Sequence, residues 1–165
     1  MQTSAWRRSV SMLLVGMLAA ATAWGAPLQV GDSVELPGVI LIDGRHRPPG
    51  YYQGKPVIVQ YWAVWCPYCA RQNRHVQQLW EQAQARELEV LAISLDPDEA
   101  GVRHHMAERN YTFPVVMQDR ELLDVFGKQG VVPQLYVINA QGRVAEVIPG
   151  EMFSADVLGL LKYAP

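Results

Sequence analysis

A pair of closely spaced cysteines, placed directly after an apolar segment, constrains this chain more than any other feature of its sequence. Cys66 and Cys69 are its only two cysteines. The segment 57–62 before them has the apolar, β-branched character of a buried strand, and the pattern from Pro67 onward is helical. Two thiols at a strand-to-helix junction are placed for reversible disulfide chemistry, so the sequence predicts a redox site here.

Two further uses of a cysteine pair fit the sequence less well. A permanent disulfide across so short a loop would restrain the unfolded chain by only about 1.9 kcal/mol in the chain-entropy model, against about 3 kcal/mol for a loop of about 15 residues. A tetrahedral zinc site would need further ligands from the four histidines of the chain. Because His104 and His105 are adjacent on a predicted helix and point apart, the sequence predicts no metal site.

The helical pattern after Pro67 gives the two thiols different predicted roles. The core-facing stripe of this helix comprises Cys69, Gln72, Val76, Leu79, Trp80 and Ala83. Cys66 stands at the helix start, where unpaired backbone N–H groups and the positive end of the helix dipole stabilise a thiolate, and Pro67 suits the first helical position. We therefore predict that Cys66 is the more exposed, nucleophilic thiol and that Cys69 is the resolving thiol.

The first 25 residues have the pattern of an export signal. Arg7 and Arg8 precede an apolar run over residues 12–24, with small residues at its end. We predict a signal peptide, or an uncleaved N-terminal anchor, over residues 1–25. A single domain over residues 26–165 would then function in the periplasm.

The distribution of charge argues against one class of partner. Without residues 1–25 the number of Lys and Arg residues falls from 14 to 12, against 16 acidic residues. The basic residues are dispersed, and the Arg-His-Arg segment at 45–47 is expected to be a solvated loop. The sequence therefore predicts no nucleic-acid partner.

Residues 26–165 alternate between strand and helix patterns and contain no internal repeat. Strands are predicted at 39–42 in a hairpin, 57–62, 88–95, 114–117, 134–138 and 144–148. Helices are predicted from Pro67, from 99 to about 110, over 121–126, and from a Ser154 cap to 161. This order predicts an α/β fold with three α/β/α layers around a mixed central sheet.

Two segments of the chain resemble the thioredoxin superfamily. Residues 59–69 resemble its active-site strand and helix start, and residues 130–143 resemble its loop bearing a cis-proline, with the strand and turn that follow. One additional helix–strand unit and the exported N-terminus are similar to the TlpA/ResA-type periplasmic thiol-disulfide oxidoreductases. The resemblance implies a thioredoxin-like fold with an N-terminal strand extension and an inserted helix–strand unit.

The resemblance also implies a substrate-binding surface around the cysteines. It implies a cis peptide bond between Val132 and Pro133, packed against the two sulfur atoms, with the Val132 backbone free to pair with an extended substrate. Trp65 is expected to face the substrate, and Pro67 and Tyr68 belong to the same surface.

Two glutamines depart from the family pattern. Gln60 occupies the position at which thioredoxins carry a buried acid, and Gln72 stands where a number of TlpA/ResA-type proteins have a glutamate. An amide forms hydrogen bonds but does not accept a proton at neutral pH. We therefore expect these residues to tune the site, with Cys69 activated by water or reacting slowly.

The resemblance favours a reductase of protein disulfides that is kept reduced by a membrane electron-transfer partner. Its expected partners are protein thiols and disulfides. The Cys66–Cys69 disulfide would be its redox group, with no further cofactor, and the protein is expected to be a monomer. A protein disulfide oxidase or isomerase is the main competing function, because the Pro-Tyr dipeptide between the cysteines is also glutaredoxin-like. The sequence also leaves open a non-catalytic copper-binding protein on the same fold and a peroxidase.

Overall fold

The computed structural model of this protein describes residues 27–165. The predicted signal peptide or anchor at 1–25 lies outside the described residues. Within residues 27–165, no helix combines the length and the apolar character that a membrane crossing requires.

The described region contains a central sheet of five strands and a separate strand pair. The strands are β1 (Val39–Ile40), β2 (His46–Arg47), β3 (Val57–Trp62), β4 (Glu89–Ser94), β5 (Val115–Met117), β6 (Gln134–Ile138) and β7 (Val144–Pro149). The order in the central sheet is β5-β4-β3-β6-β7, and β1 pairs with β2. Strands β3, β4 and β5 are parallel, whereas β6 runs antiparallel to both β3 and β7. The sheet is therefore mixed, as predicted, and β3 lies at its centre.

Helices cover both faces of this sheet. The helices in the described region are α1 (Pro67–Ala83), α2 (Glu99–Glu108), α3 (Arg120–Phe126) and α4 (Ser154–Gly159), with short 3-10 turns at Gln84–Arg86 and Leu160–Tyr163. One core cluster joins the sheet to α1, α2 and α4, and the other joins it to α3 and the N-terminal segment. Successive β3 side chains alternate between the two clusters, so Trp62 packs with α1 and Tyr61 with α3. The predicted three-layer fold is confirmed.

Most predicted elements occur close to the predicted positions; the clearest differences are in the first strand, which ends at Ile40 and not at residue 42, and at the last helix. The bounds of β3 and β6 are those predicted, and β1 and β2 form the predicted N-terminal strand pair. Ser154 does not cap α4 but is its first residue, and Phe153 occupies the cap position without a side-chain hydrogen bond. The first turn closes instead through the backbone, because the N–H groups of Asp156 and Val157 donate to the Phe153 carbonyl.

The prediction of a solvated loop at 45–47 is wrong for Arg47. The Arg47 side chain is only 6% exposed and lies 2.8 Å from the Glu89 carboxylate at the start of β4. Its guanidinium also donates to the Tyr52 hydroxyl at 3.1 Å and lies 4.6 Å from the centre of the Tyr51 ring. Because Arg47 belongs to β2, this buried ion pair joins the N-terminal strand pair to the first residue of β4, an inner strand of the central sheet.

Candidate active site

The two cysteines lie at the junction between the central strand and the first helix. A short loop, 63–65, follows β3, and Cys66 is the N-cap residue of α1 with Pro67 in the first turn. The Cys66 sulfur accepts the backbone N–H of Cys69 at 3.1 Å. This N–H is one of the groups at a helix start that has no intrahelical partner, so the helix supplies a ready hydrogen-bond donor to the sulfur.

Cys66 is less accessible than the sequence predicted. The residue is only 3% exposed, and Cys69 is fully buried, so both thiols lie beneath the surface. The cause is the sulfur position: Cys66 Sγ turns back over the helix start and its S–H donates to the Val132 carbonyl at 3.6 Å. The exposed side chains of this region are instead the neighbours Trp65 and Tyr68, which are 67% and 55% exposed.

Cys69 has the environment of a resolving thiol. Two effects raise the pKa of Cys69 far above its ordinary value: burial of the thiol, which is the larger, and the hydrogen bond with Cys66. Cys69 therefore stays protonated at neutral pH in the dithiol form. Of the two thiols, Cys69 is therefore poorly suited to supply an attacking thiolate.

The loop before β6 contacts the Cys66 sulfur. The peptide bond between Val132 and Pro133 is cis, as the resemblance implied. The Val132 backbone is not wholly free for a partner, because its carbonyl accepts the Cys66 thiol. An incoming peptide that pairs with this carbonyl would share it with the thiol or displace the thiol.

A chain of buried amides connects the two glutamines singled out from the sequence. Gln72 Nε2 donates to Gln60 Oε1 at 2.8 Å, and Gln60 Nε2 donates to Asn73 Oδ1 at 2.7 Å. All three residues are fully buried. Sequence reasoning missed Asn73, although it lies one turn after Cys69 on the same helical stripe. Both expected relay positions are therefore joined in a neutral network that lacks a carboxylate.

Gln60→Glu is expected to accelerate the release of mixed disulfides by about tenfold, because a carboxylate in this network accepts a proton that an amide cannot. The measurement is stopped-flow release of a peptide bound to Cys66 through a mixed disulfide. Gln78→Glu, which places the same charge at an exposed position of α1, serves as the control. Equal release rates for Gln60→Glu and the wild type would contradict the prediction.

Asp96 fixes the loop that leads to Cys66. Its carboxylate accepts the backbone N–H of Val64 at 2.9 Å and the Ser94 hydroxyl at 2.8 Å. The N–H of Leu95 also donates to the Trp62 carbonyl at 2.9 Å. Asp96 therefore ties the loop 63–65 to the end of β4. The sequence showed this aspartate only as part of a helix-start signal, since its partner lies on a different element.

The predicted substrate-binding residues surround the cysteines in two groups. Trp65, Pro67 and Tyr68 are exposed and are contiguous with Cys66, whereas Val132 reaches Cys66 from the loop before β6. Pro133 is buried behind Val132. Within residues 27–165, no group of three or more histidine, cysteine or acidic side chains is placed to hold a metal ion.

Comparison with known proteins assigns this arrangement to a family. A model of the AhpC/TSA family matches residues 43–147 of the chain. This chain belongs to the AhpC/TSA family. The matched range contains both cysteines and the Val132–Pro133 loop, so the family match includes the whole region described above.

Individual relatives agree with the family match. The thiol-disulfide oxidoreductase ResA of Bacillus subtilis (strain 168) is 24% identical over 139 residues, which cover 81% of this chain and 77% of that protein. ResA of Geobacillus thermodenitrificans (strain NG80-2) is 27% identical over 117 residues, which cover 70% of this chain and 67% of that protein. The crystal structure of a thiol:disulfide interchange protein of the thioredoxin family from Chlorobium tepidum TLS has a TM-score of 0.73 at 26% identity, covering 84% of this chain and 99% of that chain. The predicted thioredoxin-like fold and thiol-disulfide oxidoreductase class are confirmed.

Proposed function

We propose that this thiol-disulfide oxidoreductase works in the periplasm as a reductase of protein disulfides, with Cys66 as the nucleophile and Cys69 as the resolving thiol. One observation carries the assignment of roles. Cys66 Sγ receives the helix-start N–H of Cys69, whereas the Cys69 thiol is fully buried and held protonated. The two thiols therefore differ in the property that separates an attacking thiol from a resolving one.

The reaction follows from these roles in two exchanges. The Cys66 thiolate attacks one sulfur of the partner disulfide, forming a mixed disulfide, and the other partner sulfur leaves as a thiolate that takes up a proton. Cys69 then loses its proton and attacks Cys66 Sγ, which releases the second partner sulfur. The products are a Cys66–Cys69 disulfide and a partner dithiol, so two electrons have passed to the partner.

The surroundings of Cys66 provide a place for the partner polypeptide. Trp65 and Tyr68 present exposed aromatic surface next to the nucleophile. The Val132 carbonyl, which accepts the Cys66 thiol before a partner arrives, is a hydrogen-bond acceptor for an extended backbone once that thiol has reacted. We infer that Pro67 completes the contact surface, whereas Pro133, which is buried, acts only by directing the loop that presents the Val132 carbonyl.

The electrostatics of Cys66 favour a reductase over an oxidase. Strong oxidants of this class owe their potential to stabilisation of the reduced form, chiefly of the nucleophilic thiolate. Here both residues between the cysteines, Pro67 and Tyr68, are uncharged. The cation that acts on Cys66 through space, Arg71, is itself bound by the carboxylate of Glu151. The ion pair with Glu151 weakens the field of Arg71 at the Cys66 sulfur, which favours a couple that donates electrons, and a membrane electron-transfer partner would restore the dithiol after each cycle.

The reduction potential of the Cys66–Cys69 couple tests this direction. We expect a potential below about −230 mV from equilibration in dithiothreitol or glutathione buffers, whereas a value near about −120 mV would identify an oxidant. Cys69→Ser, which cannot form the internal disulfide, gives the baseline for the same titration. An oxidant value would overturn the reductase assignment while leaving the exchange chemistry intact.

A further inference from the structure

Residues 150–152, which follow β7, connect the two halves of the site. The N–H of Gly150 donates to the Pro133 carbonyl at 2.8 Å. Two residues later, the N–H of Met152 donates to Gln72 Oε1 on α1 at 2.6 Å. The segment 150–152 therefore spans from the loop bearing Pro133 to the helix that carries the cysteines.

The middle residue of this segment binds an arginine on α1 through two hydrogen bonds. Arg71 Nε and Nη2 donate to the two carboxylate oxygens of Glu151 at 2.7 and 2.6 Å. This contact lowers the pKa of the Glu151 carboxyl and raises that of Arg71, so both groups are charged at neutral pH. A bidentate contact of this kind, here called two-pronged, fixes the plane of a guanidinium as well as its position.

The oriented guanidinium lies against the aromatic residue between the cysteines. The Arg71 carbon Cζ is 4.9 Å from the centre of the Tyr68 ring, within the range of a cation–π contact. Tyr68 remains more than half exposed despite this contact. Arg71 therefore supports one face of the ring and leaves surface of Tyr68 open beside Cys66.

We propose that Arg71 and Glu151 are positioning residues that hold Tyr68 in place for docking of a protein disulfide. The inference rests on the proposed function, in which Tyr68 contacts the partner. A free aromatic side chain must be immobilised when a partner binds, which weakens binding by about threefold to tenfold. Ordering Tyr68 beforehand removes this cost for a polypeptide whose apolar side chains pack on the ring. A small disulfide, which reaches Cys66 without covering Tyr68, does not benefit.

Steady-state kinetics with two substrates test the proposal. Insulin serves as the protein disulfide and hydroxyethyl disulfide as the small one. Glu151→Gln and Arg71→Met are expected to raise the KM for insulin by about fivefold relative to the KM for hydroxyethyl disulfide, because any change in the field of Arg71 at Cys66 affects both substrates alike. Arg71→Lys keeps the charge but cannot form the two-pronged contact, so it is expected to behave like Arg71→Met.

A matched control separates this effect from the general loss of an exposed ion pair. Glu99→Gln removes the exposed pair between Arg103 and Glu99 on α2, and its KM for insulin is expected to equal that of the wild type. Urea unfolding of each variant checks that the fold is intact. The proposal fails if Glu151→Gln and Arg71→Met leave the KM for insulin unchanged, if both substrates are affected equally, or if Arg71→Lys behaves like the wild type.

Tyr68→Ala distinguishes failure of this proposal from failure of the proposed docking surface. If Tyr68→Ala raises the KM for insulin while the variants at Arg71 and Glu151 do not, the positioning role alone is wrong. If Tyr68→Ala also leaves this KM unchanged, Tyr68 does not contact the protein substrate, and both proposals for this residue fail. The supporting result is a rise in the KM for insulin in all four variants, Tyr68→Ala, Glu151→Gln, Arg71→Met and Arg71→Lys.

Discussion

Cys66→Ser is expected to reduce insulin turnover to the uncatalysed background, a loss of at least about 10³-fold. A serine hydroxyl stays protonated at neutral pH and is a poor nucleophile, so the first exchange with the partner disulfide cannot begin. The N–H of Cys69 that now meets the Cys66 sulfur would face an oxygen without charge. The standard insulin precipitation assay measures this loss.

The companion variant Cys69→Ser should fail at the second exchange. It retains Cys66, so it attacks the partner but cannot release it, and a mixed disulfide accumulates. Non-reducing electrophoresis and mass spectrometry would show this adduct for Cys69→Ser and not for Cys66→Ser. Full insulin activity in Cys66→Ser, or adducts formed through Cys69, would contradict the assignment of roles.

Glu89→Ala is expected to lower the free energy of unfolding by about 3 kcal/mol. Removing this carboxylate leaves the Arg47 guanidinium, which is only 6% exposed, without its charged partner. We expect the lower end of the range for broken buried pairs, because Arg47 retains the Tyr52 hydroxyl and its contact with the Tyr51 ring. Urea unfolding, followed by circular dichroism, gives the value.

Two comparisons test whether the loss of stability comes from leaving the Arg47 guanidinium buried without a charged partner. The double variant Arg47→Met with Glu89→Ala removes both charges and should be more stable than Glu89→Ala alone. Glu99→Ala breaks an exposed pair with Arg103 and should cost less than about 1 kcal/mol. Similar losses for Glu89→Ala and Glu99→Ala would refute the importance of burial at Arg47.

The features that the sequence predicted correctly depend on residues close together in the chain. The buried strand 57–62, the helix start at Pro67 and the core-facing position of Cys69 all follow from periodicity within a short segment. Helical spacing fixes which residues share a face, whatever the rest of the fold does. These features were sufficient to locate the site and to name its reaction class.

The features that the sequence did not predict depend on contacts between distant segments. The burial of Cys66 results from Val132, which is 66 positions away, and the burial of Arg47 depends on Glu89, which is 42 positions away. A residue's exposure reflects everything that packs on it, and charged residues are usually solvated, so Arg47 was expected in a loop. The local sequence pattern does not predict such contacts between distant residues.

Gln60 and Gln72, the residues expected to tune the site, were predicted only in part. Comparison with family motifs located Gln60 and Gln72, but their direct hydrogen bond and the link to Asn73 required the packing of α1 against β3. Asp96 and Glu151 were not singled out as site residues at all. Each acts on the site from a loop after another strand, so only the folded chain brings it there.

The near-complete burial of Cys66 affects how readily its sulfur is oxidised irreversibly. Sulfinic and sulfonic acids form when a thiolate meets peroxide repeatedly, and damage of this kind is irreversible in most proteins. Cys66 is only 3% exposed and lies against the Val132 carbonyl, so it presents little surface to peroxide, and over-oxidation of the resting thiol is expected to be slow. Exchange with a disulfide that binds beside Cys66 is less affected, because a bound partner can compete for that carbonyl and expose more of the sulfur.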